Sequence, residues 1–77
     1  MAEFKFDIVK RIGVISSNSR GWSKEINLVS WNGAEPKFDI REWSEDHCKM
    51  SRGVTLSTEE ARTLLSHLSL EFRGGEF

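Results

Sequence analysis

From Lys37 to Trp43 the chain alternates strictly. Phe38 and Ile40 fall on one parity, and Lys37, Asp39, Arg41 and Trp43 on the other. A period of two is the pattern of a half-buried strand. No other stretch constrains the fold as much. Phe38 and Ile40 must meet a core, so something must cover the sheet face they define. The other side carries two cations and a large indole in line, about 6–7 Å apart at strand spacing.

The flanking sequence supplies more strands. Residues 4–16 place Phe4, Phe6, Ile8, Ile12 and Val14 on one parity, predicted to face the core, with Lys5, Asp7 and Arg11 on the other. Gly13 marks a bulge or bend. Ser16–Gly21 is a turn cluster. Residues 22–32 read as a second strand with two mixed faces, so its pattern does not settle which side turns inward. Asn32-Gly33 is a tight-turn signal between strand-like runs. Pro36 suits the start of a strand better than its middle. After the Ser44–His47 loop, residues 48–56 read as the last strand, with Met50, Val54 and Leu56 inward and a bulge near Gly53 turning Arg52 outward.

Ser57-Thr58-Glu59-Glu60 is a capping box that opens the one helix. Ala61, Leu64, Leu65, Leu68 and Phe72 form its apolar stripe, and Gly74-Gly75 end it. The expected architecture is α+β: a four-stranded antiparallel meander followed by a C-terminal helix that covers one sheet face. Residues 1–77 form one domain, with 74–77 as a flexible tail.

Size and composition narrow the function. A chain of 77 residues buries only about 60% of its unfolded surface. Its single cysteine forms no internal disulfide, and one Cys with two His gives no zinc-ligand spacing. Self-association is the expected remedy. No apolar run approaches the roughly 18 residues of a membrane span, and a lone Cys fits a reducing compartment, so a cytoplasmic location is expected. There is no Gly-rich phosphate loop or metal cluster. Asp46-His47-Cys48 sets an acid, a base and a thiol side by side, but neighbours in a loop point apart and catalytic triads are assembled from distant residues. No enzyme, cofactor or metal is expected.

The net charge of −1 is unevenly spread. Residues 1–58 hold nine Lys/Arg against eight Asp/Glu, and residues 59–77 hold two against four. The strand region can therefore carry a local basic track. Taken singly, Trp22, Trp31 and Trp43 each fit a small core or a dimer interface. Their combination with cations points elsewhere. Arg20, Trp22 and Lys24 sit at one strand end, Lys37, Arg41 and Trp43 on the next strand, and Lys49 and Arg52 on the last. Interleaved cations and rings suit phosphates and unstacked bases together, and each stacked base contributes roughly 1–3 kcal/mol.

Gly21-Trp22-x-Lys24-Glu25, Ser30-Trp31-Asn32, Glu35-Pro36-Lys37-Phe38-Asp39-Ile40-Arg41-x-Trp43 and Lys49–Leu56 resemble the bacterial YdbC-type members of the transcriptional positive cofactor four family, which are single-stranded-DNA-binding coactivators. The resemblance covers about residues 4–70. It implies a β-β-β-β-α subunit that dimerises through its helix and sheet edge and binds single-stranded DNA with little sequence preference, in transcription, replication or repair and in association with the nucleoid. Carried over by position, Trp22, Lys24, Lys37, Arg41, Trp43 and Arg52 are the leading contact residues, with Arg20 and Lys49 next. Asp39 is expected to orient Arg41 or a neighbouring cation. The disordered Ser/Lys-rich regulatory region of the eukaryotic members has no counterpart here. Two other readings use the same surface: a dimeric adaptor that receives a peptide along a strand edge, and a binder of single-stranded RNA, since the chain shows no reader of the 2′-hydroxyl.

Overall fold

The computed structural model describes residues 5–75. Four strands, β1 (Phe6–Ser17), β2 (Ser23–Trp31), β3 (Lys37–Trp43) and β4 (Val54–Leu56), precede one helix, α1 (Thr58–Arg73). The strands form one antiparallel sheet in the order β1-β2-β3-β4, as the sequence leads one to expect. Phe4 lies outside the described residues.

The turns follow from their residues. Asn32 and Gly33 both take positive φ (51° and 77°), the requirement of the tight hairpin turn that Asn-Gly favours, and the Ala34 N–H donates to the Trp31 carbonyl at 3.0 Å. The helix starts on a complete capping box: Ser57 Oγ accepts the Glu60 N–H at 3.1 Å, and Glu60 Oε1 accepts the Ser57 N–H at 2.8 Å. Gly74 closes it, donating to the Glu71 carbonyl.

Three register shifts interrupt the β1–β2 ladder, one of them at the predicted Gly13 site. Bulges bend a strand and increase its twist. Their effect is visible in the ring contacts. Trp43 pairs with Ser23 at one end of β2, whereas Trp31 lies at the other end. Eight residues of extended strand separate these ends, about 26 Å. Yet the Phe6 ring lies 6.0 Å from Trp31 and 5.2 Å from Trp43. The sheet is therefore curled, and one of its faces is folded in upon itself.

That inner face corrects the expected core. Cross-strand partners project to the same side, so Trp31, Val29, Asn27, Glu25, Lys37, Asp39, Arg41 and Trp43 share it. The buried hydrophobic residues Val29 and Trp43 both lie here, with Glu25, Asn27 and Asp39 also buried. Phe38 and Ile40 face the other way with Ile26 and Leu28, and all four are only half-buried. The helix does not seal that second face. It touches β3 and β4 alone and has no buried residue.

The last strand is also shorter than expected. Residues 48–53 do not join it, apart from a single bridge between Met50 and Trp43. Gly53 explains how this segment packs. A Cβ there would overlap Arg41 Cβ and the Ile40 carbonyl oxygen, so only glycine lets the chain pass this close to β3. G53A is expected to lower stability by about 2 kcal/mol or more through overpacking, read as a shift of the denaturation midpoint; an unchanged midpoint would refute the close approach.

Candidate nucleic-acid interface

The inner face is built around buried charge. Asp39 is 0% exposed and receives Arg41 in a bidentate pair, Nε to Oδ1 and Nη2 to Oδ2, both at 2.6 Å. Thr55 Oγ1 donates to the same carboxylate at 3.2 Å. The two residues are two apart on one strand face, so the short carboxylate meets the long guanidinium without bending the backbone. Arg41 also lies 4.4 Å above the Trp31 ring and reaches the Ser51 carbonyl at 3.4 Å. Asp39 thus orients Arg41, as the sequence suggested.

A second polar group lies farther along the same face. Ser23 Oγ and Asn27 Nδ2 donate to Glu25, the latter at 3.1 Å, and His47 Nε2 sits 3.0 Å from Glu25 Oε2. Asn27 Oδ1 in turn accepts the Ile12 N–H, at 3.3 Å, beside a β1 register shift. One carboxylate therefore links β2, the bulged edge of β1 and the β3–β4 loop. His47 takes φ 59° and its ring lies 5.6 Å from Trp43. Nothing in the sequence pattern singled out His47 for this position. The β2–β3 register, which pairs Ser23 with Trp43, brings the loop after Trp43 to Glu25, 22 residues from His47.

The expected contact residues separate into distinct groups. Lys37, Arg41 and Trp43 share the inner face, but Trp43 is 0% exposed and offers no ring surface to a ligand. This corrects the expectation that Trp43 lies outward: curling folds it beneath Phe6 and His47. The Arg41 side chain is only 12% exposed and is held by Asp39. Lys24 pairs with Glu42 and so lies on the face opposite Arg41. It lines a shallow groove with Arg52, Glu42 and Ser51. Arg20, Trp22 and Lys49 meet at the sheet end in an open cleft of about 670 Å³ with Ser44, Glu45 and Asp46. Lys24, Lys37, Arg20, Lys49 and Arg52 are all exposed. Among the described residues none of these five is in an ion pair, the two pairs present being Arg41–Asp39 and His47–Glu25. Also among the described residues, no three His, Cys, Asp or Glu are placed to hold a metal, and no helix is long and apolar enough to cross a membrane.

Two carboxyls are shifted. Burial acts to raise Glu25, but the hydrogen bonds from Ser23, Asn27 and His47 and the charge of His47 outweigh it and hold the carboxyl below its ordinary value. Asp46 is lowered chiefly by the Cys48 N–H and next by the Ser44 hydroxyl. A depressed folded-state pKa gives stability that is fully present above the unfolded value, about 4.3 for Glu. It is lost as pH falls through the folded value. Acid denaturation of the wild type is therefore expected to show a loss in this window that E25Q lacks. Identical acid profiles would exclude the Glu25 network as its source.

The sequence has counterparts among known proteins. The profile of the family described as Transcriptional Coactivator p15 (PC4) matches residues 18–67. That span runs from the β1–β2 turn into α1 and includes all eight residues singled out for contact. An uncharacterized protein of Treponema pallidum (strain Nichols) is 42% identical over 72 residues, covering 90% of this chain and 85% of that protein.

Proposed function

This chain belongs to the PC4 family of Transcriptional Coactivator p15 domains, and on that basis we propose that it binds single-stranded DNA without enzymatic action, in transcription, replication or repair. The observation that carries the reading is the division of the cations. Arg41 is committed to Asp39, whereas Arg20, Lys24, Lys37, Lys49 and Arg52 are exposed and in no ion pair among the described residues. Such cations can neutralise phosphates and release counterions. Trp22, half-buried beside Arg20 and Lys49, supplies a ring for a base. Arg41 and Trp43 act from beneath: the first braces Trp31, and the second fills the inside of the curl. Affinity from phosphates and stacking depends little on sequence.

The binding unit is a homodimer. A chain of this length packed as a globule has a radius of gyration of about 11.5 Å, against 14.3 Å here. The excess goes with apolar surface that the subunit leaves uncovered. Leu64, Leu65 and Leu68 are 39%, 65% and 47% exposed along one side of α1, and Ile26, Leu28, Phe38 and Ile40 are half-buried behind it. A second copy of the same surface is the self-complementary cover. L68E is expected to convert the dimer to a monomer in sedimentation. Because Leu68 is not buried within the subunit, its secondary structure should persist at low temperature. A wild-type protein that sediments as a monomer at micromolar concentration would remove this element of the reading.

Quenching of tryptophan fluorescence by an oligothymidine tests the DNA reading. Binding at micromolar concentration or tighter is expected in low salt, falling steeply as salt rises. K37E and R52E should each weaken it and lower the slope of log affinity against log salt by about 0.7–1. No quenching by oligothymidine in low salt would refute the function.

A further inference from the structure

The cleft at the sheet end sets carboxylates among its cations. Arg20, Trp22 and Lys49 line it together with Ser44, Glu45 and Asp46. Carboxylates repel phosphate, so a surface made only for a DNA backbone gains nothing from them. Asp46 serves the loop itself. Its Oδ1 accepts the Ser44 hydroxyl at 2.8 Å and the Cys48 N–H at 2.9 Å. Glu45 does nothing comparable. It is exposed, and among the described residues its carboxylate is in no hydrogen bond and no ion pair, although Arg20 and Lys49 line the same cleft.

The position of Glu45 is nevertheless specific. Its Oε1 lies 3.2 Å from where a Cβ on Gly21 would stand. Gly21, at φ 84°, is the residue before Trp22. The bare backbone of the β1–β2 turn thus lets the carboxylate come up against Gly21, in the cleft that Trp22 also lines. The Asn18 side chain fixes this turn, its Oδ1 accepting the Arg20 and Trp22 N–H groups at 2.9 and 3.1 Å. A ring for stacking, an uncommitted carboxylate and two uncommitted cations therefore line one cleft.

We infer that this cleft holds one guanine of the bound strand, stacked on Trp22, with its N1–H and N2–H donating to the two oxygens of Glu45. This deepens the single-stranded-DNA reading and rests on it. The choice of base follows from donor pattern. An ionised carboxylate only accepts hydrogen bonds, and in a single strand the Watson–Crick edge is open to be read. Guanine presents two adjacent donors on that edge. Thymine presents one donor between two carbonyl oxygens. Adenine and cytosine each set one amino group beside an unprotonated ring nitrogen. Guanine alone can satisfy both carboxylate oxygens without facing one of them with a lone pair. Arg20 and Lys49 then meet the flanking phosphates and offset the carboxylate charge. The result is one guanine-preferring position on a surface otherwise indifferent to sequence.

Fluorescence anisotropy with labelled oligothymidines of equal length tests this, the central residue being thymine, guanine, cytosine, adenine or hypoxanthine. The guanine strand is expected to bind about tenfold tighter than the cytosine or adenine strand, the discrimination of one good bidentate contact. Hypoxanthine keeps N1–H but lacks the N2 amino group, so it should lose most of that gain. In E45Q the guanine-to-cytosine ratio should fall toward one. The hypoxanthine comparison uses the wild-type protein and stands whether or not the variant folds. If oligothymidine binds but all five strands bind alike, the guanine site is overturned and the general DNA reading survives. If hypoxanthine binds as tightly as guanine, or the preference persists in E45Q, Glu45 is not the reader. If no strand binds, both readings fall together.

Discussion

The bidentate pair between Asp39 and Arg41 is the interaction on which the inner face depends. Asp39 has no exposed surface, and a buried carboxylate is tolerable only with its partners in place. Arg41 supplies two of them and Thr55 a third. The pair therefore fixes β4 against β3. It also fixes the guanidinium over Trp31 and against the Ser51 carbonyl, which ties the long β3–β4 segment to the same point. Gly53 belongs to this arrangement, because a side chain there would strike Arg41. Removing either charge would leave its partner buried and uncompensated, a loss of about 3–5 kcal/mol, large beside the total stability of a small domain.

The curl of the sheet decides which charges are left for a ligand. Register shifts in β1 fold the inner face inward, and the buried charge there is consumed by structure: Asp39 with Arg41, and Glu25 with Ser23, Asn27 and His47. Cations at the strand ends and on the outer side escape this. Lys24, Arg20, Lys49 and Arg52 stay exposed and outside the ion pairs of the described residues, as does Lys37 at the start of β3. The near-neutral net charge of −1 is compatible with a basic surface on these terms, since part of the negative charge is held inside. The second apolar layer, of half-buried sheet residues and exposed helix leucines, is unfinished in one subunit, which is why a two-subunit assembly is the natural form of the proposal.

Much of the fold was legible in local chemistry. The Lys37–Trp43 alternation marked β3 from its first residue to its last, Asn32-Gly33 marked the turn before it, and Ser57 with Glu60 marked the helix start. These signals need only neighbouring residues. The depth of each face was not legible. Alternation says that Trp43 and Phe38 point to opposite sides, but not which side a curled sheet encloses. Curvature comes from β1 bulges, and their consequence appears only when Phe6 bridges Trp31 and Trp43. For the same reason the contact residues were found by type but not by grouping: Lys24 and Arg41 sit on opposite faces. The Glu25–His47 link joins residues far apart in sequence and carried no local signal at all.

Exposed cations and an accessible ring acting together distinguish an unpaired strand from a duplex. Parallel titrations with single-stranded and duplex DNA of equal length, at matched salt, separate the two contributions. A duplex offers the phosphates but keeps its bases stacked and out of reach of Trp22. The single strand should bind about tenfold tighter or more, with tryptophan quenching confined to it. Equal or tighter binding of the duplex would mean that phosphates alone are recognised and that Trp22 takes no base.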